Sequence, residues 1–176
     1  MDTGLVHIYT GEGKGKTTAA IGLSVRCAGA GGSVLFSQFM KGNDTFELLP
    51  LSDIPGISIL RPYKLFPFFK NMSEAEKLEL TYIHNGMLKK MISGVEGDTY
   101  DMVVLDEFTY AYSYELCDKE LVKRLFDTSK GKTELIVTGR RPDPFLLEKA
   151  DYITEMKAVK HPLKDQGIAA RKGIEY

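Results

Sequence analysis

The feature that most constrains the fold is a glycine-rich run, TGEGKGKTT at residues 10–18, which lies between a short apolar segment and a helix-forming one. It has the Gly-Lys-Thr ending of a Walker A motif, although Thr10 stands where the first glycine is usual. Glycines let the backbone wrap closely round an anion, and the N-terminus of the following helix adds the positive end of its dipole. Because the run follows a strand and opens a helix, it predicts a phosphate-binding loop rather than a structural glycine turn.

This loop supplies side chains suited to a nucleotide and its metal. Lys16 brings a positive charge to the phosphates, and the Thr17 hydroxyl can bind Mg²⁺. Lys14 fits either a solvated loop charge or a direct phosphate ligand. The candidate nucleotide-binding residues of the loop are Gly11, Glu12, Gly13, Lys14, Gly15, Lys16, Thr17 and Thr18.

The rest of the chain alternates apolar, β-branched runs with helix-forming ones. This alternation predicts an α/β fold with a mostly parallel central sheet flanked by helices, and the loop makes it P-loop NTPase-like (RecA-like), as one domain over residues 1–176. We expect strands at residues 5–9, 33–39, 57–60, 102–105, 133–138 and 152–156. We expect helices at residues 16–28, 74–92, 119–129 and 145–149. The second helix should open with a Ser73–Glu76 capping box and carry, near a helical repeat, Leu78, Tyr82, Met87, Leu88 and Met91.

Two of the predicted strands end in charged residues. Asp106 and Glu107 follow an apolar strand, as in a Walker B motif whose carboxylate helps hold Mg²⁺, and Arg140 can reach phosphate oxygens with its planar fork. The carboxyl ends of parallel strands meet at one edge, so these groups should lie near the loop, with Arg141 on the surface. Alternatively, Asp106 and Glu107 could cap a helix, and Arg140 could be an ordinary surface residue. These residues indicate ATP or GTP with Mg²⁺, and a hydrolase, a kinase or a nucleotide-gated binding protein would fit equally.

The overall composition argues against several partners. Lys+Arg number 23 and Asp+Glu 24, without the basic excess typical of proteins that bind nucleic acid or anionic membranes. No run approaches the ~20 apolar residues of a membrane span. Cys27 and Cys117 follow no metal-ligand pattern and fit buried apolar positions in a reducing compartment. We therefore expect a cytoplasmic protein that binds neither nucleic acid nor membrane.

Seven segments share their pattern with one known family; they are residues 4–20, 38–42, 101–110, 138–140, 150–151, 159–162 and 173–176. Over nearly the whole chain they resemble the P-loop ATP:corrinoid adenosyltransferases, including the missing first Walker glycine. The run Gln38-Phe39-Met40-Lys41-Gly42 is similar to the family's Gln-Phe-Ile-Lys-Gly, and the ending, Gly173 to Tyr176, is the most specific part. The resemblance also implies a nucleotide-site role for Arg26, ten residues after Lys16.

The resemblance implies an activity. Members are homodimers that bind MgATP and a corrinoid reduced to cobalt(I), which attacks C5′ of ATP and releases inorganic triphosphate, in coenzyme B12 formation or salvage. Lys16, Glu107 and Arg140 would be the catalytic residues, Thr17 and Glu107 the Mg²⁺ ligands, and a flavodoxin-like protein the reductant. The alternative functions are a P-loop kinase or NTPase, which would yield ADP, and a nucleotide-gated corrinoid carrier that catalyses no reaction.

The corrinoid side is expected to depart from the family. Members often place a Phe-x-Trp pair beside the corrinoid, whereas this chain contains no Trp, and Phe66 and Phe68 are the candidate counterparts. An ordinary packed or dimer-facing loop is the alternative. Many members also carry a longer segment before the first strand that folds over the site. His161 could contact the ligand or cap the fold, and the tyrosines expected to pack in the core rather than form a second aromatic wall are Tyr110, Tyr112 and Tyr114.

Overall fold

The computed structural model describes residues 3–40 and 45–175. These residues form a six-stranded sheet in the order β3-β2-β4-β5-β1-β6, and every neighbouring pair is parallel. The strands are β1 Val6–Thr10, β2 Val34–Gln38, β3 Ile57–Leu60, β4 Met102–Asp106, β5 Glu134–Thr138 and β6 Tyr152–Glu155. The predicted α/β fold and all six predicted strands are confirmed, with shifts of one residue at several ends.

Helices cover both faces of the sheet. They are α1 Lys16–Gly29, α2 Leu48–Ser52, α3 Glu74–Glu96, α4 Phe108–Ser113, α5 Lys119–Ser129, α6 Pro144–Lys149 and α7 Pro162–Gln166, with a 3₁₀ turn at Phe69–Asn71. The four predicted helices correspond to α1, α3, α5 and α6. The other three, which are five or six residues long, were not predicted, because such short helices show no periodic pattern.

The start of α3 confirms the predicted capping box. Ser73 Oγ accepts from the Glu76 amide at 3.3 Å, and a Glu76 carboxylate oxygen accepts from the Ser73 amide at 2.8 Å. This bond to the Ser73 amide lowers the pKa of Glu76. The expected repeat was wrong for Leu78 and Tyr82, which are 73% and 80% exposed. Both lie roughly 200° around the helix from Leu80, which faces the core.

Two apolar clusters fill the space on either side of the sheet. One lies under α3, α4, α5 and α6, and the other lies under α1 and α2. Strand β4 is buried along its whole length, so its carboxyl end is fixed by packing on both faces. Cys27 and Cys117 are buried free thiols, as expected. Within the described ranges, no helix has the length and apolar character needed to cross a membrane.

Strand order decides what meets at the carboxyl edge. Strand β5 lies between β1 and β4, so the phosphate loop after β1 and the acidic end of β4 are about 10 Å apart, two strand spacings. Strand β2 borders β4 on the other side, and Gln38 pairs in register with Asp106. The sheet therefore presents the ends of four strands as one continuous surface.

Candidate active site

The conformation of the phosphate loop depends on its glycines and on contacts with the segment that follows β6. Gly11 and Gly15 have φ of 100° and 115°, a region that side-chain-bearing residues rarely adopt. The Gly13 amide donates to the Met156 carbonyl at 2.6 Å. A Cβ at Gly11 or Gly13 would collide with the Met156 backbone. The loop conformation therefore requires glycine at these positions.

Lys16 lies in the concavity of this loop. Its Nζ donates to the carbonyls of Gly11 and Gly13 at 2.7 and 2.8 Å. Partial burial and then the positive charge of Arg140 lower the pKa of Lys16, while the carboxylates of Glu12, Glu107 and Asp106 act in the opposite direction. A cation that donates to loop carbonyls in this concavity is suited to pair with phosphate oxygens.

Asp106 is the buried carboxylate at the end of β4, and three side chains donate to it. Thr17 Oγ1 and Thr138 Oγ1 both donate to Oδ1, at 2.8 and 2.7 Å. Gln38 Nε2 donates to Oδ2 at 3.3 Å. The contacts of Thr138 and Gln38 with Asp106 were not predicted from the sequence. Both residues end strands that neighbour β4, so the strand-end rule used for Asp106 could have found them, had the strand order been known.

Glu107, the predicted metal ligand, immediately follows this strand in a rare backbone conformation. It has φ of 56° and immediately precedes α4, and its amide donates to Thr138 Oγ1 at 3.0 Å. A left-handed non-glycine residue at a strand end is characteristic of functional sites. Asp106, and not Glu107, accepts the hydrogen bond from Thr17. Glu107 is close enough to influence the pKa of Lys16.

Arg140 approaches the phosphate loop from the end of β5. Its Nη1 lies 3.2 Å from Glu12 Oε2, while Arg141 Nε lies 3.6 Å from Glu12 Oε1. Thr109 Oγ1 donates to the Arg140 carbonyl at 2.9 Å, and a Cβ on Gly139 would strike the Thr109 side chain. This close contact fixes the turn that carries Arg140. The Arg141 side chain is 90% exposed, so its predicted surface position is confirmed.

The C-terminal segment borders the same loop. Lys14 Nζ lies 3.2 Å from Glu175 Oε1 and the Lys14 side chain is 54% exposed, so Lys14 is a solvated loop charge that pairs within the chain. Hydrogen bonds from Arg171 are the main reason that the pKa of Glu175 falls to about 2. Lys172 Nζ lies 4.7 Å above the Phe46 ring. The segment that carries the Gly-Ile-Glu ending thus spans from the phosphate loop to the residues before α2.

Several predicted residues lie away from this cluster or outside the described ranges. Arg26 is exposed in the last turn of α1, about 15 Å along the helix from Lys16, so the structure does not bring it to the loop. Thr18 is exposed in the first turn of the same helix. His161 caps α7, because its Nδ1 accepts from the Leu163 amide at 3.3 Å. Of the family-like motifs, Lys41, Gly42 and Tyr176 fall outside the described residues.

The candidate corrinoid loop has two different aromatic faces. Phe68 is 81% exposed. Phe66 is partly buried against the core, with Lys64 Nζ 4.8 Å above its ring. The loop therefore offers Phe68 to a ligand, whereas Phe66 forms part of its support.

The three tyrosines after β4 do not all behave as expected. Tyr112 packs in the core and stacks on Phe145, as predicted. Tyr110 and Tyr114 form a separate row with Phe69, with ring centroids 5.9 Å apart for the tyrosine pair and 4.0 Å for Tyr114 and Phe69. Burial raises the pKa of Tyr110, and the charges of Arg140 and Glu107 also act on it. An aromatic row therefore connects the nucleotide side of the site with the 3₁₀ turn beside the Phe66–Phe68 loop.

The donors at the strand ends suit magnesium. Thr17, Asp106 and Glu107 offer only oxygen atoms, which Mg²⁺ prefers. The part of the chain that the structure describes holds no group of three or more His, Cys, Asp or Glu residues able to bind a metal. Mg²⁺ takes one or two carboxylates together with substrate phosphates and waters, so this sparse set fits it.

A parallel sheet with a strand–glycine loop–helix unit and a buried carboxylate in contact with the loop threonine defines a P-loop nucleotide-binding protein. The flagellar accessory protein FlaH from Methanocaldococcus jannaschii shares the fold, with a TM-score of 0.58 and 13% identity over 88% of this chain and 72% of that chain.

Sequence comparison defines the family. The family model described as ATP:corrinoid adenosyltransferase BtuR/CobO/CobP matches residues 2–176. The corrinoid adenosyltransferase CobA of Salmonella typhimurium is 33% identical, over 99% of this chain and 87% of that protein. The corrinoid adenosyltransferase of Escherichia coli K12 is 31% identical with the same coverage. The chain belongs to the ATP:corrinoid adenosyltransferase family, and the resemblance drawn from its motifs is confirmed.

Proposed function

We propose that this protein transfers the 5′-deoxyadenosyl group of MgATP to the cobalt of a corrinoid reduced to cobalt(I) and releases inorganic triphosphate, in coenzyme B12 formation or salvage. The observation that carries the proposal is the junction of the phosphate loop with Asp106 through Thr17, in a chain of this family. The same junction would serve a kinase or NTPase, so the family membership decides between these activities.

The proposed reaction is a displacement at carbon. The electron pair of cobalt(I) forms the Co–C5′ bond, the C5′–O bond breaks, and the triphosphate leaves with its electrons. Because no proton moves in this step, a general base is not needed. Negative charge increases on the leaving group, and the loop amides, Lys16 and Arg140 are preorganised to stabilise it.

Mg²⁺ would be held by Thr17 and Glu107, with Asp106 as the residue that orients the threonine. When bound, it would neutralise charge on the phosphate oxygens. Lys16 and Arg140 both lie close to Glu12 of the loop. The Glu12 carboxylate acts to raise the pKa of Lys16, and it lies 3.2 Å from Arg140 Nη1. The arrangement supports a triphosphate seated in the loop. In the proposed site C5′ would then face the corrinoid, and the nucleotide would lie reversed relative to its orientation in ordinary P-loop NTPases.

The corrinoid would lie against the aromatic side of the site. The row of Tyr110, Tyr114 and Phe69 supports this location, because it starts beside Arg140 and ends next to the loop of Phe66 and Phe68. An apolar wall excludes water and favours the less solvated state of the metal. Phe68 would contact the corrinoid directly, with Phe66 and His161 as further candidates.

The remaining features of the proposal are expectations from the sequence. A homodimer and a flavodoxin-like reductant come from the family resemblance, whereas a cytoplasmic location comes from the composition and one domain comes from the order of the predicted elements. Arg26 would serve the nucleotide site from the far end of α1 only if a partner subunit approached it there. Exposed apolar side chains on α3, Leu78 and Tyr82, offer surface that a subunit contact could cover.

An anaerobic assay tests the activity. The protein is mixed with MgATP and chemically reduced cobalamin, and the corrinoid spectrum is followed before and after illumination. Formation of a light-sensitive adenosylated corrinoid, dependent on both ATP and protein, is the expected result. Binding of both ligands without such a product would support the nucleotide-gated carrier instead.

A further inference from the structure

The amide of Gln38 lies between two acidic residues at the end of β2. Its Nε2 donates to Asp106 Oδ2 at 3.3 Å and to Glu47 Oε1 at 3.2 Å. Glu47 immediately precedes α2, so the Gln38 side chain links the carboxylate at the end of β4 with the start of that helix. Gln38 is almost completely buried.

The carbonyl oxygen of the same amide has no partner. Among the described residues, Gln38 Oε1 is the buried side-chain atom that lacks any hydrogen bond. An amide flip would not satisfy it, because the oxygen would then face the carboxylates of Asp106 and Glu47, which are acceptors. Buried acceptors are nearly always paired, so an unpaired one beside a candidate metal site points to a donor that arrives with a ligand.

The surroundings limit what that donor can be. The atom lies on a residue paired in register with Asp106, whose other oxygen holds Thr17. Mg²⁺ bound there would keep several waters, and a water on a cation is a strong hydrogen-bond donor. Groups that orient such ligands from outside the coordination sphere commonly change metal affinity 10–100-fold when they are removed.

We propose that Gln38 is a positioning residue for the metal. Its N–H group holds the Asp106 carboxylate, and its carbonyl oxygen accepts a hydrogen bond from a water on Mg²⁺. The inference rests on the proposed function, since it requires MgATP in the loop.

The test measures ATP affinity with and without the metal, by equilibrium dialysis and without corrinoid, so that no turnover occurs. Gln38→Leu removes the donor and the acceptor at similar volume. We expect its ATP dissociation constant in EDTA to stay within about twofold of the wild type, while the gain in affinity on adding Mg²⁺ shrinks by at least about tenfold. Ser37→Ala is the matched control. It is the preceding, equally buried residue, its hydroxyl donates to the Val104 carbonyl, and its Mg²⁺ gain should be unchanged.

Three results would overturn the inference. The first is a gain in ATP affinity on adding Mg²⁺ that is as large in Gln38→Leu as in the wild type. The second is an equal loss of ATP affinity with and without Mg²⁺, which would indicate a nucleotide contact or a general packing role. The third is a wild-type chain whose ATP affinity does not increase when Mg²⁺ is added. A wild-type chain that binds no ATP at all would overturn the proposed function as well, so the two failures can be told apart.

A measurement on the wild type covers the case in which Gln38→Leu does not fold. The side-chain amide signal of Gln38 is followed by NMR in the ATP complex. It should shift when Mg²⁺ is added and stay unchanged when the same concentration of K⁺ is added. An amide signal that ignores Mg²⁺ would contradict the proposal.

Discussion

The Thr17 hydroxyl donates a 2.8 Å hydrogen bond to the buried carboxylate of Asp106, across 89 positions of the chain. This contact joins the first turn of α1 to the end of β4, two strands away in the sheet. It couples the phosphate loop to the acidic strand end. The geometry of the candidate site is therefore largely preorganised by the fold, which is what electrostatic stabilisation of a leaving group requires.

Lys16 should matter most for the rate. We expect Lys16→Ala to lower kcat by at least about 10²-fold, the cost of removing one preorganised charge-stabilising donor. Lys14→Ala is the control, because Lys14 pairs with Glu175 outside the loop concavity, and its effect should be much smaller. Circular dichroism and thermal unfolding would check that both variants fold. Wild-type turnover in Lys16→Ala would remove this residue from the mechanism.

Substitutions of the two adjacent carboxylates, Asp106 and Glu107, should differ in their effects on stability and on activity. Asp106→Asn places an amide where the carboxylate accepted three hydrogen bonds, so we expect the free energy of unfolding to fall by about 1–3 kcal/mol, together with activity. Glu107→Gln should change stability little and raise the Mg²⁺ concentration needed for half-maximal rate at least about tenfold. Urea unfolding and Mg²⁺ titrations of the rate provide the comparison. Equal effects of the two substitutions on both quantities would show that the assigned roles are wrong.

Two glycine substitutions should have opposite effects on stability. Gly139→Ala forces a side chain into Thr109 at φ of 145°, so we expect a loss of about 1–3 kcal/mol and a displaced Arg140. Gly22→Ala lies inside α1 with open space around it and should stabilise the fold by up to about 1 kcal/mol. Unfolding midpoints measure both changes. A Gly139→Ala variant as stable and active as the wild type would contradict the close contact with Thr109.

Phe68 should act on the corrinoid and not on ATP. Because its side chain is exposed and separate from the core, Phe68→Ala should leave stability and ATP affinity unchanged while it lowers the rate of adenosylation. Leu49→Ala removes a similarly exposed apolar side chain on α2 and serves as the control. Isothermal titration with ATP and initial rates at several corrinoid concentrations distinguish the two effects. Full activity in Phe68→Ala would exclude this residue from the corrinoid surface.

Local patterns in the sequence were enough to predict the strands, the phosphate loop and the set of strand ends that meet. They were not enough to predict which side chain faces which. Gln38 and Thr138 contact Asp106 because β2 and β5 border β4, and no local pattern encodes that order. The prediction was wrong for Tyr110 and Tyr114 for a related reason. Once α4 is known to be helical, Tyr110 and Tyr114 share a face by their i, i+4 spacing, and Tyr112 points elsewhere.

Identification of the phosphate-containing products tests the central claim most directly. The protein, MgATP and cob(I)alamin are incubated without oxygen, and the products are identified by ³¹P NMR. The proposed displacement at C5′ predicts inorganic triphosphate in equal amount to adenosylated corrinoid. Formation of ADP and phosphate without adenosylated corrinoid would mean that the P-loop binds ATP for a different reaction, and the proposed function would be wrong.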